Sequence, residues 1–443
     1  MRELLFYLLL PVAVLLILRN PFTGVALYVG VNIIRPEMLF WGGRQGDIAY
    51  KILLGAAFVS LFKNNPTEFF RPLRVRELWL LIFTWGAVMI SLQFSPFPLA
   101  PRAMYYAEEI LKLAFLAWLL LAALKERESI ELFEKIYLLL FSILGLWGVE
   151  QHFRGNERLE NFPLGDSNGV AAILVLAVPV ALNMALHGTD KKNRRLGLLA
   201  VVILALAIIS TQSRGGFLGM SAATAVFFIW SRRKKALLVL VAAVVTVALL
   251  FAPESYFHRL STLQAEEEEI DHSAGSRLVL WQAGMMIFKD NPWVGVGFMA
   301  FPQAKMLYRD SVKGDENLIS YTFNEDKVAH NTYVQVLSEG GLLLAVPYFL
   351  LIIGTFTGNW RVRRMRGRKA PEDPLVNLLN GIEAGIAGFC ICIIFINAIT
   401  TIFLPLQIIV SRCIRDYLYA SHERLPDGAG GGGALNEDTV PSV

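Results

Sequence analysis

Long apolar runs recur along this chain with only short polar breaks between them, and that pattern decides its class. A bilayer core needs about 20 predominantly apolar residues per helix, fewer where a helix is short or broken. Candidate spans fall at residues 4–18, 48–62, 78–93, 106–124, 130–149, 168–187, 196–212, 215–230, 236–251, 333–355, 375–396 and 399–416. The expected fold is therefore all-α: a polytopic integral membrane protein with about twelve transmembrane helices and a large outward-facing loop containing short helices. Only 18% of the 443 residues are charged, against about 25% in an ordinary soluble domain. Soluble globular, disordered and disulfide-scaffold classes are excluded. Cys390, Cys392 and Cys413 lie in or beside apolar runs and read as small buried hydrophobes. The formal charge of +4 gives no reason to expect nucleic acid. Residues 22–41 parse poorly, because Arg35-Pro36 interrupts them; they read as an interfacial or re-entrant piece.

Orientation follows from Lys and Arg in short loops, which stay cytoplasmic. One alternating set of loops holds Lys63, Arg71, Arg74 and Arg76; Lys125 and Arg127; Lys191, Lys192, Arg194 and Arg195; Arg232 to Lys235; and six basic residues from Arg361 to Lys369. The opposite set holds Arg44, Arg102, Arg154, Arg158 and Arg214. Both termini are thus expected inside the cell, with an uncleaved first span, since no small-x-small site follows it. The chain divides into an N-terminal bundle (1–251), an outward loop (252–332), C-terminal spans (333–418) and a flexible, glycine-rich tail (419–443). Long loops commonly carry function. Within this one, the acid run Glu266–Glu269 reads as a solvated face, without metal-ligand spacing.

Three outward-facing segments carry chemistry. In Thr211-Gln212-Ser213-Arg214-Gly215-Gly216, an arginine sits between two spans with almost no loop. An unpaired charge is costly there, and the glycines allow a tight turn and close approach of a ligand. An ordinary snorkelling arginine is the bland reading, but the lack of room for a solvating loop favours function. The second segment runs from Ser276-Arg277 through Trp281 to Asn291-Pro292-Trp293-Val294-Gly295-Val296-Gly297. Leu278, Trp281, Met285 and Phe288 have helical spacing, as in an amphipathic helix lying on the membrane surface. Arg277 alone would be a plain headgroup anchor. In the third, His330-Asn331-Thr332 precedes a span, so Asn331 or Thr332 can cap it and leave His330 at its mouth. Glu339, nine residues on, falls on the opposite face and is expected to be a structural carboxylate paired elsewhere.

Together these motifs resemble the superfamily of O-antigen ligases and O-antigen polymerases, over about residues 166–355. Asp166-Ser167-Asn168 opens the matching stretch, and Glu339-x-Gly341 closes the third motif. Pro21-Phe22-Thr23-Gly24-Val25 and Asn32-x-x-Arg35-Pro36 are similar to a branch of O-glycosylation ligases. The resemblance implies a glycosyltransferase of the bacterial inner membrane, its site facing the periplasm. It takes a glycan from undecaprenyl pyrophosphate to an acceptor hydroxyl, without metal, nucleotide or other cofactor. Carried over by position, Arg214 and Arg277 bind the pyrophosphate and His330 acts as base; Ser213, Gly215 and Asn331 stand beside them as substrate-binding candidates. Partners implied are the lipid-linked glycan, a lipid A-core or protein acceptor, and membrane lipids.

Other readings are weaker. A polymerase or a protein O-oligosaccharyltransferase shares the donor chemistry. A transporter of lipid-linked glycans would want a midplane site, whereas these charges gather at the outer face. Among remaining polar residues, Arg102, Glu108, Glu109 and Lys112 cluster near one outer helix end, with Glu108 and Lys112 spaced to pair. Glu383, with Asn377 and Asn380, is expected to pair or pack near the cytoplasmic side. Gly219-Met220-Ser221-Ala222 reads as helix packing rather than a serine-protease site.

Overall fold

In the computed structural model the chain is described over residues 2–35, 46–156, 159, 166–251, 267–323, 327–367 and 372–423. Among these, helices are the only regular structure. They are α1 (Arg2–Arg19), α2 (Pro21–Ile34), α3 (Gly46–Asn64), α4 (Arg76–Gln93), α5 (Ala103–Ala123), α6 (Arg127–Phe153), α7 (Ser167–His187) and α8 (Lys191–Ser210). Then follow α9 (Arg214–Trp230), α10 (Lys234–Phe251), α11 (Glu267–Asp290), α12 (Glu316–Phe323), α13 (Thr332–Arg366), α14 (Pro374–Cys392) and α15 (Phe403–Glu423). Every apolar run expected to span falls largely on one of them, but the runs 375–396 and 399–416 extend into the bend between α14 and α15.

Among the described residues, five helices are long and apolar enough to cross a membrane: α6, α7, α8, α13 and α14. A sixth candidate is α4 joined to the short turn Pro66–Arg74, bent by 68°. The other helices depart from that ideal in readable ways. α5 carries Glu108, Glu109 and Lys112, α15 carries Arg412, Arg415 and Asp416, and α9 has 17 residues. The structure thus shows a multi-helix membrane protein, and twelve crossings are more than length and apolarity alone establish.

At the centre stands α7, apolar around its whole circumference and buried on nearly every side, as expected of a helix enclosed by others. It packs against α8, α9 and α14. Gly219 of α9 and Gly388 of α14 meet so closely that a Cβ on Gly388 would come within 2.5 Å of the Gly219 carbonyl oxygen. Small residues permit such backbone approach in membranes. The three cysteines are free, with Cys392 and Cys413 buried.

Within residues 22–41, α2 is a regular helix, capped by Asn20 and ended by a left-handed Arg35. It buries Val25, Tyr28, Val29 and Ile33 against its neighbours; residues 36–45 lie outside the described chain. The expected Glu108–Lys112 pair is replaced by two others. Lys112 bonds Glu109 at 2.7 Å, and Glu108 reaches Lys51 of α3 at 2.8 Å, because a neighbouring helix offers a second cation. Glu383 is held by both terminal nitrogens of Arg363, at 2.9 and 3.0 Å, and Arg363 also donates to Asn380.

The segment between α10 and α13 builds its own small cores. α11 buries Leu280 and Ile287 with Val296, Phe301 and Val334 in one cluster, and Val279 and Ala283 with Val312, Ile319 and Phe323 in another. Leu278 and Met285 of the expected apolar stripe are exposed on its other side. Lys305 is fully buried, its Nζ donating to the carbonyls of Thr322 and Lys327. The acid run lies outside the described side chains.

Candidate active site where four helix ends meet

The turn before α9 shows why Arg214 stands where it does. Gln212 adopts a left-handed backbone (φ 50°), so the chain reverses within three residues of the end of α8. Ser213 caps α9: its Oγ accepts from the Gly216 N–H at 3.0 Å and donates to Asn168 Oδ1 of α7 at 2.7 Å. At the start of α7, Asp166 accepts from the Gly169 N–H at 2.8 Å. The starts of α7 and α9 are therefore laced together, and Arg214, the first residue of α9, is left exposed. The buried amide atoms of Gln212 have no hydrogen-bond partner among the described residues, a capacity that a ligand could meet.

Arg277 arrives from α11, half-buried, with its guanidinium 5.9 Å from the centre of the Phe395 ring. The same ring packs on Gly215: a Cβ there would come within 3.2 Å of Phe395 Cδ2. Burial lowers the Arg277 pKa; Asp166 opposes that effect and Arg214 adds to it. Asp166 and Arg214 therefore both lie within electrostatic reach of Arg277.

His330 sits at the mouth of α13. Its backbone is left-handed (φ 47°), uncommon for a residue with a Cβ. Asn331 is the helix cap, accepting from the N–H groups of Tyr333 and Val334 at 2.9 and 3.2 Å. Burial lowers the His330 pKa most. Arg277 lowers it further, Asp166 raises it, and Lys327 and Lys305 lower it again. The imidazole is thus held neutral at pH 7 and can accept a proton.

Behind His330, the second and third motifs lock together. α13 breaks at Gly341 (φ 59°, ψ −158°), and the turn after α11 fills the gap. Val296 and Gly297 donate to the carbonyls of Ser338 and Glu339, while Leu342 and Leu343 donate to those of Pro292 and Trp293. Glu339 accepts from Gln335 Nε2 at 3.1 Å and the Phe301 N–H at 3.4 Å, away from His330 as its spacing requires.

Residues 199–349 match the model of the family described as O-Antigen ligase. That match supports membership of the O-antigen ligase superfamily. Residues 1–149 match a family of unknown function, and no curated protein gives a match. The O-antigen ligase segment contains Arg214, Arg277 and His330, and the fold sets Arg277 within electrostatic reach of each of the other two. The remaining candidates are committed to local structure: Ser213 and Asn331 as helix caps, Gly215 as the seat of Phe395. Sequence reading missed three neighbours outside that segment. Asp166 reads as opening the matching stretch without a role at the site, and Phe395 and Asn397 lie at the edges of two apolar runs. Among the described residues, no three His, Cys, Asp or Glu side chains assemble as metal ligands.

Proposed function

We propose that this superfamily member transfers a glycan from undecaprenyl pyrophosphate to an acceptor hydroxyl, O-antigen ligase fashion, at the periplasmic face of the inner membrane. The observation that carries the reading is that Arg277 lies within electrostatic reach of both Arg214 and His330, the three coming from three separate motifs. In this reading the chain crosses the bilayer about twelve times, with the 252–332 loop outside.

Two arginines suit a diphosphate. Each guanidinium can grip phosphate oxygens through two parallel N–H bonds. The acceptor hydroxyl attacks the anomeric carbon. The bond from that carbon to the diphosphate oxygen breaks, and a new carbon–oxygen bond forms. The hydroxyl proton passes to His330, and undecaprenyl diphosphate leaves with the electron pair. Arg214 and Arg277 stabilise the charge developing on the leaving oxygen, a contribution of several kcal/mol in a water-poor site. Direct attack inverts the anomeric configuration. Asp166 is the carboxylate that offsets the imidazolium once formed.

The test is full-length protein, a lipid-linked oligosaccharide, and three acceptors offered separately without nucleotide. Glycan on lipid A-core supports the ligase. A lengthened lipid-linked chain would make the protein a polymerase, and a glycosylated polypeptide would make it a protein transferase. Transfer to none of the three, or a product with retained anomeric configuration, contradicts the one-step mechanism.

A further inference from the structure

We infer that residues 393–398, the bend between α14 and α15, form the scaffold that aligns the base with the arginines, with Phe395 and Asn397 as its positioning residues. The inference rests on the transfer reading above and adds two residues outside the O-antigen ligase segment.

The bend touches every arm of the site. Phe395 carries the Arg277 guanidinium over its ring and also packs against Gly215, next to Arg214. A cation held over an aromatic face is fixed in direction without losing its hydrogen-bonding edge. Arg277 can therefore lie on Phe395 and still present its N–H groups to a phosphate. Asn397 serves the third arm: its Oδ1 accepts from the Asn331 N–H at 3.1 Å. Thr332 completes the lacing. Its N–H donates to the Ile393 carbonyl at 2.9 Å, its Oγ1 donates to the Ile396 carbonyl at 2.8 Å, and that Oγ1 accepts from the Ala398 N–H at 3.0 Å.

These bonds lie immediately after the left-handed residue. A strained backbone persists only where its surroundings over-determine it, and His330 is followed immediately by the two residues the bend ties down. Asn397 grips the peptide that joins His330 to Asn331. Without that acceptor the peptide is free to turn, and the imidazole turns with it. A displacement of about 1 Å at a reacting group can cost about a hundredfold in rate. Loss of the Phe395 face acts differently, on how well Arg277 is directed toward the bound diphosphate. The two residues thus serve opposite sides of one reaction, base and donor, through a single short segment.

The experiment uses the full-length protein in detergent or nanodiscs, with undecaprenyl-diphosphate oligosaccharide as donor and lipid A-core as acceptor. Asn397→Ala is expected to lower kcat about a hundredfold with donor KM within about twofold of wild type. Asn397→Asp retains the acceptor oxygen and restores most of kcat. Phe395→Leu is expected to raise donor KM about three- to tenfold, and Phe395→Tyr to restore it. Thermal shift with undecaprenyl diphosphate alone gives a second measurement, in which Phe395→Leu binds more weakly and Asn397→Ala binds as wild type does. Wild type that binds the diphosphate lipid yet transfers nothing contradicts the function and leaves the scaffold to the binding comparison. Equal binding by wild type and Phe395→Leu, or variants that lose folded protein while kcat and KM per folded molecule stay unchanged, overturns the scaffold.

Discussion

A Cβ placed on Gly341 would come within 2.7 Å of the backbone nitrogen of Gly295. The broken helix and the loop turn interlock main chain to main chain, with both glycines in the left-handed region (φ 59° and 66°). Two motifs that are dozens of residues apart in sequence are one structural unit behind His330.

Gly341→Ala should therefore fail for two reasons at once: a disfavoured backbone and a clash with the Trp293 carbonyl group, whose oxygen a Cβ would approach to 2.6 Å. The expected loss is about 3 kcal/mol or more, read as a fall in thermal unfolding temperature or in folded yield. Gly55→Ala and Gly86→Ala, where a Cβ meets nothing within 4 Å, should be tolerated. Equal tolerance at Gly341 would contradict the interlock.

The pH dependence follows from the charges around His330. A base must be neutral, and burial together with Arg277 lowers the pKa of this imidazole below its ordinary value of 6.5. Activity should hold as pH falls through 6.5 and decline only lower. Asp166 pulls the pKa upward, so Asp166→Asn should move the acid limb of kcat/KM to still lower pH. The plateau should also drop, because the imidazolium formed during the reaction loses its counter-charge. An acid limb that moves upward, or does not move, would show that Asp166 does not act on His330.

At the opposite pole of the bundle, Glu77 of α4 pairs with Arg415 of α15 at 2.9 Å, both almost fully buried, and Arg412 joins at 3.2 Å. Removing one partner of a buried ion pair leaves the other uncompensated, at a cost of about 3–5 kcal/mol. Glu77→Ala should lose stability on that scale in a thermal or denaturant melt. A Glu77→Ala, Arg415→Met double variant should recover part of it. A single variant as stable as wild type would mean that the pair is already satisfied by solvent.

Much of this arrangement was legible in the sequence, because its causes are local. Apolar runs mark the helices, Ser213 and Asn331 cap as their residue types dictate, and the nine-residue offset separates Glu339 from His330. What escaped was non-local. Phe395 lies among isoleucines and reads as one more apolar residue; only its contacts with Arg277 and Gly215 give it a role. Asn397 looked like a break between spans. Lys51 claims Glu108 from another helix, which no spacing rule within α5 reveals. α11 has two apolar sides, and periodicity could not say which one the loop would bury.

The central claim is that Arg214, Arg277 and His330 form one glycosyl-transfer site for a lipid-linked diphosphate. Its most direct measurement is single-turnover transfer from undecaprenyl-diphosphate oligosaccharide to lipid A-core by wild type and by Arg214→Ala, Arg277→Ala and His330→Ala, each confirmed as folded. The account predicts that all three variants lose transfer by at least about a hundredfold, and that the arginine variants alone also lose affinity for undecaprenyl diphosphate. Full activity in any one of the three folded variants would contradict it.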